Sequence, residues 1–110
     1  MAEPRVTRND ETHEYELWLG DAKAGFSMFR EKPGRIAFTH TVIDEAYEGQ
    51  GLGSLLARAV LDDAVARGET IVPYCPFIAA YLRRHSDYDD HVEWPAPEGD
   101  APASAGLAQQ

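Results

Sequence analysis

The octapeptide from Tyr47 to Ser54, YEGQGLGS, places three glycines at alternate positions directly ahead of a leucine- and alanine-rich run. Glycine opens a helix poorly, so three in five residues indicate a backbone with a task of its own. In the run that follows, Leu52, Leu55, Leu56, Ala59 and Val60 recur at helical spacing, and Gly68 stands where a C-terminal cap belongs. Asp63 falls on the same stripe and weakens its far end. Upstream, Arg35 to Ile43 (RIAFTHTVI) is rich in β-branched and aromatic residues, with apolar side chains on both parities. That pattern predicts a central strand covered on both faces. Strand, glycine loop and helix form the unit around which the rest must be arranged.

Residues 3–8 and Tyr15 to Leu19 read as strands, the second ended by Gly20-Asp21. Ala24 to Phe29 is a third, which makes Gly20 to Lys23 a hairpin connection. Lys32-Pro33-Gly34 is a turn signal before the long strand. Beyond the helix, Glu69 to Tyr74 is a short apolar strand whose Pro73 predicts an irregular or unpaired neighbour. A second helix is expected from Pro76 to about Arg84, with proline suited to its first turn. The fold class is α+β, or α/β-like, with a mostly antiparallel mixed sheet and helices packed on it. Residues 1–94 form one domain, and 95–110, rich in Pro, Gly, Ala and Ser, read as a disordered tail.

Composition narrows the function. The net charge of -9 argues against nucleic acid, whose phosphates are bound through clustered Lys and Arg. It favours cationic partners such as amines and basic peptides, and also solubility alone. No stretch approaches the roughly 20 apolar residues of a membrane span, and the N-terminal residues do not read as a secretory signal. One cysteine makes no internal disulfide and fits a reducing cytoplasm. Cys75, His85 and His91 lack the paired spacing of a zinc site, so no metal is expected. Nothing local supports a hydrolase triad of Cys75, His40 and Asp44.

Glycines before a helix let several backbone N–H groups converge, and the helix terminus adds about half a positive charge. The loop therefore reads as a phosphate or pyrophosphate cradle, against the plainer reading of a tight turn. A P-loop needs a lysine after its last glycine, and Ser54 follows Gly53 directly. A dinucleotide fingerprint needs a glycine where Ser54 stands, and loop glycines directly after the strand. Asp44 to Glu48 intervene here. The positions Glu48, Gly49, Gln50, Gly51, Leu52 and Gly53 instead resemble the Arg/Gln-x-x-Gly-x-Gly/Ala loop of the GNAT superfamily of N-acetyltransferases. With FTHTVIDEAYEGQGLGSLLARAVLDDA followed by IVPYCPFIAAYLRRHSDY, residues 5–94 resemble its small, truncated YjdJ-type branch, which lacks the first helices of larger relatives. Glu48 departs from the usual Arg or Gln and is expected to point to solvent.

The resemblance implies acetyl-CoA as cofactor and an amine as acceptor. It implies that the long strand and the one after the helix splay apart around the pantetheine arm. His40, Thr41, Val42 and Ile43 would offer backbone partners to that arm, and Gly49 to Ser54 would hold the pyrophosphate. The thioester would lie near Tyr74 and Cys75. Transfer needs a neutral amine, a polarised carbonyl and a proton for the thiolate. His40 is the candidate base or positioner, since an unperturbed histidine titrates near neutrality; its alternative is a histidine hydrogen-bonded within the sheet. Tyr81 is the candidate acid, with a core role as the alternative. Cys75, at the start of the second helix, is a candidate site thiol, and its nucleophilic role stays open. The expectation is a cytoplasmic N-acetyltransferase; the alternative is a non-catalytic module that binds CoA or acyl-CoA.

Overall fold

A computed structural model describes residues 3–95, so all of the expected tail except Pro95 lies outside the described residues. The chain opens as a meander of β1 (Pro4–Asn9), β2 (Glu14–Leu19), β3 (Ala22–Lys32) and β4 (Arg35–Ile43), each antiparallel to the last. Helix α1 (Leu52–Ala66) then carries the chain to β5 (Thr70–Pro73), which lies parallel to β4. Helix α2 (Pro76–Arg84) follows, and single 3-10 turns cover Glu45–Tyr47 and Ser86–His91. The sheet order is β1-β2-β3-β4-β5, as expected for a mixed, mostly antiparallel sheet. After α2 the chain returns to β5, where the N–H of Glu93 donates to the carbonyl of Ile71 at 2.8 Å.

The β2–β3 hairpin is tighter than the sequence suggests. Leu19 pairs with Ala22, leaving a two-residue loop in which Gly20 takes φ 60. The strand starts at Ala22 because the Trp18–Lys23 pair extends the ladder. At the next turn Pro33 presets the backbone and Gly34 adopts φ 77.

Helix α1 buries Leu52, Leu56, Ala57, Val60, Leu61 and Ala64, a face rotated from the expected stripe. Leu55 is left 38% exposed. Small side chains at Ala57 and Ala64 allow the helix to lie close to the sheet. The rotation also puts Asp63 at the margin, where it accepts a 2.6 Å hydrogen bond from the Tyr15 hydroxyl. Both helices share one core with Ile36, Phe38 and Ile71, so the fold has two layers.

Among the described residues, the expected coverage of β4 on both faces is therefore not found. Its apolar residues occupy both parities for another reason. Met28 pairs with His40 but Phe29 pairs with Phe38, so Thr39 is an extra residue, a β-bulge. Ile36 and Phe38 face the helices before the bulge, and Thr41 and Ile43 do so after it. His40 and Val42, by the same shift, turn to the uncovered face and are exposed.

At the end of the sheet farthest from the glycine loop, charges tie β1, β3 and α1 together with the segment that leads to β5. Arg8 pairs with Glu31 at 2.7 Å, and Asp63 with Arg67 at 2.8 Å. Glu69 Oε1 is buried, with no donor to it among the described residues. Burial, then its contact with Glu31, pushes its pKa up to about 7. The hydrogen bond from Glu69, with Arg8 behind it, holds Glu31 below its ordinary value. Since the raised group binds its proton more tightly when folded, its stabilising contribution is complete below the ordinary carboxyl range. That contribution is lost as pH rises through about 7. Urea unfolding midpoints are expected to fall between about pH 4.5 and 7, the window set by that shift, and Glu69→Gln should flatten the fall; an equal fall in the variant would refute this source.

Candidate functional site

The site lies where β4 and β5 part. Their parallel ladder runs from Arg35–Thr70 to Phe38–Pro73 and stops. Pro73 faces its missing N–H to the other edge, since Thr70 and Tyr74 are residues whose amides point at β4. The next two amides, of Tyr74 and Cys75, both donate to the Phe38 carbonyl, at 3.0 and 2.8 Å. The chain then enters α2, while β4 runs on from Thr39 to Ile43 with β3 alone beside it. One edge of that stretch is open.

An open pocket of about 310 Å³ borders this edge. Thr41 and Ile43 form its strand side, the loop from Tyr47 to Gly53 its head, and Phe77 of α2 its far wall. Gly49 and Gly51 take φ 85 and 73, a region that costs side-chain-bearing residues about 1–2 kcal/mol. Gly51 is the N-cap of α1, and the first capping bond runs from the N–H of Leu55 to its carbonyl at 3.2 Å. Among the described residues, no acceptor engages the N–H groups of Gly49, Gln50, Gly51, Leu52, Gly53 or Ser54. Gly53 has a different task from the other two. A Cβ there would lie 2.8 Å from Phe77 Cζ, so this glycine admits the aromatic ring.

The remaining loop residues differ in what they present. Leu52 sends its side chain into the core, leaving only its amide to the pocket. Glu48 is exposed at the rim, and its own N–H is occupied by the Glu45 carbonyl at 3.3 Å. Gln50 and Ser54 are exposed.

Cys75 is the N-cap of α2, with Pro76 in the first turn, and is 2% exposed. Its thiol makes no capping bond. It turns toward β4 and donates to Thr41 Oγ1 at 3.3 Å. Thr41 Oγ1 lies 3.0 Å from Ser27 Oγ, and Ser27 is fully buried. Three short polar side chains thus form a row behind the pocket wall. Ser27, Tyr47 and Phe77 were not anticipated as part of this region. The lone serine inside the apolar AGFSMF strand was the available signal for the first.

The three candidate catalytic side chains are not brought to one point. His40 lies on the uncovered sheet face, its ring 6.3 Å from that of Phe26, whereas Cys75 lies on the helix side. Tyr81 is buried in α2 and stacks on His85 with centroids 4.0 Å apart, away from the pocket lining. The buried hydroxyls of Tyr15 and Tyr88 donate to Asp63 and Asp62, both at 2.6 Å. Burial, then the aspartate, pushes each of those two pKa values up. The Tyr81 hydroxyl has no such partner among the described residues. Among those residues, no helix is long and apolar enough to cross a membrane, and no three His, Cys, Asp or Glu residues are grouped to hold a metal ion.

A sheet with one open strand edge, leading from unpaired amides at a helix N-terminus, is the framework of a GCN5-related acyltransferase fold. Residues 14–91 match the family model described as GCN5-related N-acetyl-transferase, and the chain belongs to that family. Among solved structures, it is similar to the NMR solution structure of a GCN5-like protein from Staphylococcus aureus. The two agree at a TM-score of 0.66 and 21% identity, over 87% of this chain and 94% of that one. That likeness is one of fold. No curated protein matches the chain.

The polar row behind the pocket yields a direct test. Thr41→Val keeps the shape but orphans the buried Ser27 hydroxyl and the Cys75 thiol, at a cost of about 1–3 kcal/mol. In urea unfolding, adding Ser27→Ala should recover part of that loss; additive losses would contradict the coupling.

Proposed function

We propose that this chain is an acetyl-CoA-dependent N-acetyltransferase of the small, truncated YjdJ-type branch, transferring an acetyl group to an amine. One observation carries the reading: among the described residues the amides from Gly49 to Ser54 have no acceptor, and Gly49, Gly51, Leu52 and Gly53 of that run line a pocket that continues along an open strand edge to Thr41. Convergent amides at a helix N-terminus suit a pyrophosphate, and an open edge suits an amide-bearing arm. Gly49, Gly51 and the neighbouring amides hold the diphosphate, while the backbone of Thr41 to Ile43 meets the arm. The exposed position of Glu48 supports a role for its backbone rather than its carboxylate.

In the reaction the amine nitrogen bonds to the thioester carbonyl carbon, and the C–S bond breaks with its electron pair on sulfur. The proton lost by nitrogen balances the one gained by the thiolate. His40, exposed on the uncovered face, takes the proton from the acceptor. Tyr81, whose hydroxyl is not spent on an aspartate, stays the candidate acid for the thiolate, though its ring is buried away from the pocket lining. Cys75 is buried and donates to Thr41, which supports direct transfer with Cys75 as a positioning residue. A single buried free thiol also suits a cytoplasmic setting.

The uncovered sheet face offers no helical wall for an acceptor, which favours the second reading, a CoA-binding module without turnover. Calorimetry with CoA should show binding that Gly51→Ala weakens by about tenfold, the equivalent of the left-handed backbone cost. An unchanged Kd would remove the loop amides from the site. With acetyl-CoA and a panel of amines, free thiol should be released without an acetyl adduct on Cys75. Binding without release would support the module, and an adduct lost in Cys75→Ala would establish the covalent route.

A further inference from the structure

The uncovered face of the sheet carries a second pocket, of about 330 Å³, directly across from the parting of β4 and β5. Its floor is Ala37, Val72 and Tyr74. Ala37 and Val72 are register partners, and Tyr74 is the first residue after the ladder ends. Its rim is Arg30 and Lys32 from β3 and Arg35 from β4. Antiparallel pairing of Arg30 with Ala37 and of Lys32 with Arg35 puts all three cations on this one face. The parity change at the Thr39 bulge places His40 there too.

The charge of this pocket runs against that of the chain. The protein has 10 basic and 19 acidic side chains, yet here three cations meet one carboxylate, Glu93. Glu93 is taken by Arg35, with which it forms an ion pair. Among the described residues, Arg30 and Lys32 have no carboxylate within salt-bridge distance. Uncompensated like charges held close together repel, and an anion between them removes that repulsion. A guanidinium beside an ammonium, over an aromatic and apolar floor, suits a small organic carboxylate better than a bare ion. The volume lies at the lower end of small-molecule sites, too small for a folded partner to enter.

We infer that this pocket holds the carboxylate end of the acceptor, so that the substrate is a small amine that also carries a carboxylate, such as an amino acid. The inference rests on the acetyltransferase reading for its chemistry, and it adds the acceptor class. Arg30 and Lys32 anchor the carboxylate, Tyr74 lines the path, and the amine end is left to reach the opening beside β4. Net charge alone favours cationic acceptors; the local cations select one that is anionic at one end.

Binding can be read without turnover. N-acetylalanine, the product analogue with a carboxylate, is titrated into the full chain and followed by backbone amide resonances. Resonances of Ala37, Val72 and Tyr74 are expected to shift, while N-acetylalanine amide leaves them in place. Arg30→Gln with Lys32→Gln should weaken the N-acetylalanine response about tenfold or more, the size of a lost charge-assisted contact. CoA added to the same double variant should shift Gly49 to Ser54 as in the parent. That control separates failure here from failure of the acetyltransferase reading. Equal response to the acid and the amide, or an unchanged response in the double variant, overturns the inference. A stronger response to O-phosphoethanolamine than to N-acetylalanine would overturn the carboxylate assignment in favour of phosphate. In turnover assays alanine should exceed alaninamide in kcat/KM about tenfold, and the double variant should abolish that preference by raising KM for alanine alone.

Discussion

One carbonyl decides the layout of this molecule. The carbonyl of Phe38 takes two successive amides, from Tyr74 and Cys75, so Cys75 leaves the alternation of the strand and the parallel ladder ends there. From that point β4 and the chain after β5 diverge. The open edge of β4, the start of α2 and the inward turn of the Cys75 thiol all follow from where the pairing stops.

The bulge at Thr39 does the complementary work. It exchanges the two faces of β4 midway, so that Thr41 looks toward the helices while His40 looks away. The glycine loop and Thr41 then serve the helix side, and Ala37, His40 and the basic rim serve the other. A strand open along one edge allows two reactants to approach from opposite faces. The two sides also differ in charge, unpaired amides on one and side-chain cations on the other.

Packing holds this arrangement in place. Gly25 lies so close to β4 that a Cβ would come 2.6 Å from the Val42 carbonyl, which fixes β3 against the open strand. The carbonyl of Ala24 accepts from the N–H of Asp44 at 2.8 Å, anchoring the exit of β4 toward the glycine loop. On the far side, α1 and α2 meet over Ile36, Phe38 and Ile71, so the gap is spanned by a rigid core.

Local chemistry made much of this legible. The three glycines, the helix behind them, the turn at Pro33-Gly34 and the strand ended by Pro73 each depend on residues a few positions apart. The second helix was legible for the same reason, with Pro76 at its first turn. The long β4 misled on coverage, since apolar residues on both parities look the same whether two faces are buried or one bulge intervenes. The face of α1 was misread because Leu55 is as apolar as Leu56, and only the sheet decides which one it covers.

The sequence by itself determined the order of elements, the family and the glycine loop, because backbone conformation and periodicity are properties of neighbouring residues. Tertiary structure decided that Cys75 meets Thr41 and Ser27, that His40 lies across the sheet from them, and that Arg30, Lys32 and Arg35 share one pocket. Those relations depend on strand register. A register shifted by one residue reverses every side chain, and no local pattern in the chain specifies it.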